Sequence, residues 1–311
     1  MLIRYVGITC LMAFLTACSN TETTPIKIGI NPWPGYEFLY LAQEKGFFKE
    51  QGVDVKIIEY ASLSDVRRGY ERGNLDAMAS TLIEVLQVKN NSTRDPNVFL
   101  IADYSNGGDV ILARDINSLK ELKGKRIAAD TTSLPIFILT RALEQAGLNL
   151  TDVEIIPMEQ SDIPLAYKEM SIDAAVTYPP ISLQLSKRQD TKTIFSSADI
   201  PGEVVDVVSA ESSILKERKN DFKKILRAWD RALEFTKKHP DEAYEIMGNR
   251  ESITAAEFKA AVNDMEILSV TEQKKYFPSL PSTLNRVRDV LVDSGVLPNE
   301  ISADCCINQI N

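Results

Sequence analysis

The sequence predicts an α/β protein of two similar lobes, with parallel-rich sheets and flanking helices, and three observations carry that prediction. Short apolar runs alternate with helix-period segments from residue 26 onward, the order that builds parallel βαβ units. The order then repeats. Gly52-Val53-Asp54-Val55-Lys56-Ile57-Ile58-Glu59 and Asn74-Leu75-Asp76-Ala77-Met78-Ala79-Ser80-Thr81 are echoed by Gly147, Asp152-Val153-Glu154-Ile155-Ile156 and Ser171-Ile172-Asp173-Ala174-Ala175-Val176-Thr177-Tyr178. Two further apolar strands read as crossover hinges: Asp109-Val110-Ile111-Leu112-Ala113-Arg114, entered through Gly107-Gly108, and residues 204–210, entered through Pro201-Gly202.

The elements follow in order. In the first lobe residues 26–30 read as a strand, 37–48 as a helix, 53–59 as a strand, 63–72 as a helix, and 75–80 and 98–102 as strands. In the second, residues 126–129, 153–157, 174–177 and 192–195 read as strands and 134–146 and 163–169 as helices, the former with Pro135 in its first turn. Residues 214–297 are helical by period. Phe222, Ile225, Leu226, Trp229, Leu233 and Thr236 recur at three and four residues, as do Leu280, Leu284, Val287 and Leu291 up to Gly295. Such stripes form core, and they are expected to pack on the first lobe, to which the chain has returned. Lobe 1 is then residues 26–108 and 209–311, and lobe 2 residues 109–208 with the hinge strands included.

A chain of 311 residues, 44% hydrophobic and 25% charged, has an ordinary globular composition. Its formal charge of −9 and scattered Lys and Arg argue against a nucleic-acid partner, which requires a basic footprint. Residues 1–17 carry one cation, Arg4, and then an apolar run too short to span a membrane, the pattern of a signal peptide. The run ends in Leu15-Thr16-Ala17-Cys18, which resembles the bacterial lipobox and makes Cys18 the expected lipid anchor. Residues 18–25 are the anchor and a polar tether. Export with a lipid on Cys18 places the protein on a bacterial membrane, facing the periplasm or the exterior.

In open α/β sheets, ligands sit beyond the carboxyl ends of the strands. Asn31-Pro32-Trp33-Pro34-Gly35-Tyr36 occupies that place after the first strand, and its two prolines fix the backbone that presents Trp33. Trp33 is either a pre-set wall of a ligand cleft, with Tyr36 beside it, or a lid on its own lobe's core. Equivalent strand ends offer Ser80, Thr81 and Glu84 in lobe 1, and Tyr178 in Thr177-Tyr178-Pro179-Pro180 of lobe 2. Asp130-Thr131-Thr132-Ser133 leads into a helix, so Thr131, Thr132 and Ser133 form either an anion seat or a simple helix cap. Glu84, Asp109 and Asp206 lie at cleft or hinge edges, where each can meet a ligand cation.

No catalytic residue, cofactor or metal is expected. The single histidine, His239, sits in Lys237-Lys238-His239-Pro240 at a helix end, so no serine or cysteine triad assembles around it, and a capping role suits it better. The chain has no Walker A loop, no G-x-G-x-x-G and no His/Cys metal spacing. Cys305 and Cys306 read as a tail feature, with an intermolecular disulfide as the sharper option.

The segments GINPWPGYEFLYLAQEKGFFKEQGVDVKI, GNLDAMAST, GGDVILA, LKGKRIAADTTS and SIDAAVTYPP, in that order, resemble the solute-binding proteins for nitrate, taurine, alkanesulfonates and the thiamine pyrimidine precursor. The resemblance runs over nearly the whole mature chain. It implies a type II periplasmic-binding fold whose lobes close on a ligand and deliver it to an ABC importer. It also implies that Trp33, Tyr36, Ser80, Thr81, Thr131, Thr132, Ser133 and Tyr178 line that ligand. The family does not fix the ligand. Lacking a basic cluster, this chain is expected to take a zwitterionic amine or sulfonate, or a heteroaromatic such as a pyrimidine. Some receptors of this fold signal to a membrane sensor instead of a permease. A eukaryotic branch makes the thiamine pyrimidine with a histidine and an iron-binding cysteine cluster, which Cys305-Cys306 alone does not reproduce.

Overall fold

The computed structural model describes residues 24–298 and 305–307. The signal segment and Cys18 lie outside the described residues. The end of the tether is held to the body by Arg218, whose guanidinium donates to the Thr24 carbonyl at 2.7 Å.

Lobe 1 begins with β1 (Ile26–Ile30), α1 (Glu37–Glu44), α2 (Phe47–Glu50), β2 (Val55–Glu59), α3 (Leu63–Glu71), β3 (Ala77–Thr81), α4 (Leu82–Asn91) and β4 (Pro96–Ser105). The segment expected as one helix over 37–48 is two, because Gly46 takes a left-handed φ of 74° that ends one helical run and starts the next. Lobe 2 holds β5 (Val110–Arg114), β6 (Arg126–Ala129), α5 (Leu134–Gln145), β7 (Glu154–Pro157), α6 (Ile163–Lys168), β8 (Ala174–Thr177), α7 (Ile181–Ser186) and β9 (Thr191–Ser196). The chain returns through β10 (Val205–Glu211) and continues as α8 (Ser212–Glu217), α9 (Lys219–Lys238), α10 (Pro240–Arg250), α11 (Ala255–Val262), β11 (Met265–Ile267) and α12 (Leu280–Asp293).

The two sheets repeat one plan. Their orders are β2-β1-β3-β10-β4-β11 and β7-β6-β8-β5-β9. In each, three parallel strands come from a βαβ unit, and the fourth place is taken, antiparallel, by a crossover strand. The outgoing crossover β5 thus fills in lobe 2 the place that the returning crossover β10 fills in lobe 1. All of β10 is paired inside the lobe 1 sheet, so the return to lobe 1 falls before Val205 and not at residue 208. Strand pairing decides the boundary, and pairing between distant strands is invisible to a local pattern.

Residues 214–297 are largely helical as the period predicts, but β11 (Met265–Ile267) interrupts them by pairing with β4, and the helices bury their stripes with Leu233 only half-buried. Trp229 is fully buried, meets Phe38 of α1 edge-on at 5.7 Å and donates its indole N–H to the Leu268 carbonyl at 2.9 Å. Helices α9 and α10 lie on α1, while α12 rests against both α4 of lobe 1 and α5 of lobe 2. His239 joins α9 to α10 without a side-chain capping bond; its ring instead packs on Phe235 at 4.9 Å. Cys305 and Cys306 are bonded to each other, and the Cys306 carbonyl accepts from the Val98 amide at 2.8 Å, which ties the pair to β4. This is a correction to both tail readings: the cysteines are partners within one chain and are attached to the lobe 1 sheet.

Candidate functional site

The ends of β1, β3, β6 and β8 and the starts of the antiparallel β5 and β10 converge between the lobes. That follows from topology, since an antiparallel strand begins at the edge where its parallel neighbours finish. A small pocket lies there, with room for about one water molecule in this arrangement of the lobes. Lobe 1 lines it with Asn31, Trp33, Tyr36, Leu63, Thr81 and Asp206. The hinge and lobe 2 supply Asp109, Leu134 and Tyr178.

The first-strand loop is a turn closed by the Tyr36 amide donating to the Trp33 carbonyl at 2.8 Å, with Tyr36 at the head of α1. Trp33 is 3% exposed, and its ring meets the edge of Tyr178 from the other lobe at 6.0 Å. The indole N–H donates to Asp103 Oδ2 at 3.3 Å. Two glycines allow this approach. A Cβ at Gly35 would lie 1.9 Å from Asp103 Oδ2, and one at Gly108 would lie 2.7 Å from the Trp33 ring. Trp33 is therefore a wall of the pocket and a contact between lobes, more than a lid on the lobe 1 core alone.

Acids dominate the electrostatics. Tyr36 donates its hydroxyl to Asp206 Oδ1 at 2.5 Å, and burial, reinforced by the negative Asp206, pushes the Tyr36 hydroxyl well above its ordinary range. Asp206 on β10 is directly paired in register with Asp103 on β4, so two carboxyls oppose each other across neighbouring strands. Burial pushes Asp103 up to about 7, and burial followed by the repulsion of Asp103 and Asp109 pushes Asp206 well above the carboxylate range. Burial likewise raises Asp109 to about 7, with Glu84 adding to the shift. Asp103 Oδ1, Asp109 Oδ2, Asp206 Oδ2 and Asn31 Oδ1 are buried acceptors without a donor. None of the lining residues is Lys, Arg or His.

Glu84 does something different from what its position in the sequence suggests. It completes a capping box with Thr81, whose amide and hydroxyl donate to Oε2 at 2.9 and 2.6 Å. Its Oε1 crosses to lobe 2 and accepts from the Ser133 hydroxyl at 2.7 Å and the Leu134 amide at 2.9 Å. The start of α5, expected as either an anion seat or a self-capped helix, is thus occupied by a carboxylate of the opposite lobe. Ser133 makes no side-chain cap to its own helix. Burial raises the Glu84 carboxyl, and its hydrogen bonds to Thr81 and Ser133 hold it back.

Of the sequence candidates, the structure brings Trp33, Tyr36, Thr81, Asp109, Tyr178 and Asp206 to the pocket wall. Ser80 is buried in β3 with its hydroxyl turned to the Thr81 carbonyl. Thr132 is exposed and bonds back to Asp130 at 2.8 Å through both its amide and its hydroxyl; Thr131 is half-buried and stays off the wall. Glu84 and Ser133 bind each other behind it. Sequence reasoning misses Asn31, Leu63 and Leu134 of the wall, and Asp103 behind it; of these Asp103 matters most to the electrostatics. The available signal was an ionisable side chain inside the otherwise apolar run Val98-Phe99-Leu100-Ile101-Ala102, immediately before Tyr104, where burial has a cost unless the site uses the charge.

Two mixed α/β lobes joined by crossover strands, with a pocket where the strand ends face each other, define the periplasmic solute-binding class of fold. Residues 33–243 match the family described as NMT1/THI5 like, and the chain belongs to that family. It is similar to the periplasmic aliphatic sulphonate binding protein of Escherichia coli, with a TM-score of 0.75, 15% identity and 93% of each chain covered. It is 22% identical over 303 residues to a Brucella abortus (strain 2308) protein provisionally named as a binding protein, covering 93% of this chain and 92% of that one. Over 110 residues, 35% of this chain and 32% of the other, it is 30% identical to a 4-amino-5-hydroxymethyl-2-methylpyrimidine phosphate synthase of Saccharomyces cerevisiae.

Proposed function

We propose that this chain is an extracytoplasmic receptor, anchored by a lipid on Cys18, that closes on a small organic ligand and delivers it to an ABC importer. The ligand expected from the sequence is a zwitterionic amine or sulfonate, or a heteroaromatic such as a pyrimidine. The observation that carries this reading is the inter-lobe pocket, whose walls come from both lobes and whose lobes are connected along the chain by the crossover segments ahead of β5 and β10. A ligand touching both walls favours the closed form by its differential affinity for that form. The pocket offers apolar and aromatic walls with a few convergent polar groups, the composition of a binding site. The match to a synthase covers 35% of this chain, whereas the match to a binding protein covers 93% of it, which favours binding without turnover as the function proposed here.

The test is native mass spectrometry and thermal shift against amines, sulfonates, pyrimidines and flavin-like rings. A micromolar ligand at millimolar concentration adds about 4 kcal/mol of stability. Solution scattering of the same samples should show compaction on saturation. A protein that no compound stabilises or compacts is not this receptor. Release of Cys18→Ser from the membrane fraction checks the anchor separately.

A further inference from the structure

Resting on the receptor reading above, we propose that the ligand is a compact organic cation rich in N–H donors, an amidine or a guanidine, and that Glu84 keeps anions out of the same cleft. The argument begins with an imbalance of donors and acceptors. Asn31 and Asp109 each present a buried side-chain oxygen that nothing donates to, and both line the pocket. Asp206 adds another, with the unpaired Oδ1 of Asp103 behind it. A proton shared by Asp103 and Asp206 can serve that pair, but Asn31 and Asp109 remain, and no cationic side chain lines the cavity. A buried acceptor without a donor is costly, and several around one cavity select a ligand that brings donors.

Charge follows from the same groups. Each carboxyl here either holds a proton or meets a positive partner, and burial already drives Asp103 and Asp109 toward the protonated form near neutral pH. A metal ion fits poorly, since among the described residues no group of three or more His, Cys, Asp or Glu is placed to hold one. The acceptors are spread around the pocket, so the donors must be spread over a molecular framework. Its faces are set by Leu63 from lobe 1, Leu134 from lobe 2 and the rings of Trp33 and Tyr178. Apolar faces with polar edges describe a planar, delocalised cation better than a spherical ammonium.

Glu84 supplies the exclusion. The place in the cleft best suited to an anion is the start of α5, where helix N–H groups point outward. Glu84 Oε1 already takes the Leu134 amide and the Ser133 hydroxyl there, so an incoming sulfonate meets a filled seat and four nearby carboxyls.

The experiment is calorimetric titration of the full protein with benzamidine, methylguanidine and 4-aminopyrimidine, and with ethanesulfonate and nitrate, at pH 5 and pH 8. The amidine and guanidine should bind at least tenfold more tightly at pH 8, because cation binding favours ionised Asp103, Asp109 and Asp206. The acids facing the site are Asp103, Asp109, Asp206, Glu84 and Asp130; burial raises the first four, which act in the same direction, and Tyr36 and Tyr178 stay neutral over this range. Asp109→Asn and Asp206→Asn should each weaken the cation at least tenfold. If one of them fails to fold by circular dichroism, the other carries the test. Glu84→Ala should gain ethanesulfonate binding that the wild-type protein lacks. Tighter binding of ethanesulfonate or nitrate to the wild type, a pH-independent neutral ring, or displacement of the probes by calcium or zinc overturns the cation assignment and leaves the receptor reading standing. No binding by any probe, with no compaction in scattering, overturns both.

Discussion

Lobe 1 brings Asn31, Trp33, Tyr36, Leu63, Thr81 and Asp206 to the pocket, with Asp103 behind them, whereas the hinge ahead of β5 brings Asp109 and the body of lobe 2 brings Leu134 and Tyr178 and a loop whose Thr132 faces solvent. The strand orders match place for place, so this inequality is not one of fold. It lies in what the chain puts after equivalent strands. After β3 comes Thr81-Leu82-Ile83-Glu84, which builds a capping box that reaches across the cleft. After β8 comes Tyr178-Pro179-Pro180, which offers a ring and no charge. A duplicated scaffold therefore specifies where a site lies, and only the loops specify which half holds the ligand and which half covers it.

The sharpest way to break that comparison is to truncate the ring on each side. Trp33→Ala removes a wall, the edge-on partner of Tyr178 and the donor to Asp103, and should weaken ligand binding by about 2–4 kcal/mol, the range of an interface anchor. Tyr178→Ala should cost only about 1 kcal/mol, the worth of an aromatic edge contact. Calorimetry on both variants decides. Equal losses would mean that the lobes share the ligand evenly.

Gly35→Ala probes lobe 1 from beneath. Its Cβ collides with the carboxyl of Asp103 and the indole of Trp33, so one of these side chains or the loop must shift, and overpacking of this kind costs about 1–3 kcal/mol of stability. Chemical denaturation measures it. A neutral outcome would show that the acid behind Trp33 is free to move, contrary to a preset lobe 1 half.

Protonation gives a third comparison. Asp103 and Asp109, with folded values near 7, bind protons more tightly in the folded state than in the unfolded chain, where each titrates near 3.8. Between those values the folded state holds more protons, so stability falls as pH rises from about 4 to about 7. Glu251, raised to about 8 by burial that Arg250 and Glu37 only partly offset, adds a contribution of the same sign outside the cleft. Asp109→Asn should flatten the dependence, read as melting temperature against pH. An unliganded protein whose melting temperature climbs across this window would contradict the buried acid cluster.

How much of this was legible in the sequence depends on the range of the signal. Strands β1, β6 and β8 fall at the residues their apolar runs indicate, because a fully buried strand announces itself locally. The place of β10 in the lobe 1 sheet was not legible, since it rests on pairing with Ala79 and Leu100, more than a hundred residues away. Trp33 and Tyr178 are aromatic residues held by prolines, and both reach the pocket. Asp103 did not stand out, because an acid in a strand looks like any solvated acid until its cross-strand neighbour, Asp206, is known. The cross-lobe reach of Glu84 was equally hidden: its spacing from Thr81 fits a capping box and says nothing of its second oxygen.

The smallest expected effect lies at the rim. Glu159, after β7 of lobe 2, accepts from Arg68 of α3 at 2.9 Å and from the Ser62 hydroxyl at 3.2 Å, so it fastens the lobes together outside the pocket. The acid is 42% exposed and the arginine 32%, and Arg68 keeps a second partner, Asp65, at 2.6 Å. Water screens such a pair, and the arginine does not lose its only counter-charge when the acid is neutralised. Exposed ion pairs contribute about 0–1 kcal/mol, so Glu159→Gln should change the ratio of closed to open protein by less than about fivefold. Solution scattering without ligand measures that ratio, and raising the salt concentration should reproduce the variant's effect in the wild type. If Glu159→Gln instead opened the protein as fully as Trp33→Ala, closure would be governed by rim charges, and the division of labour between a binding lobe and a covering lobe would not describe this molecule.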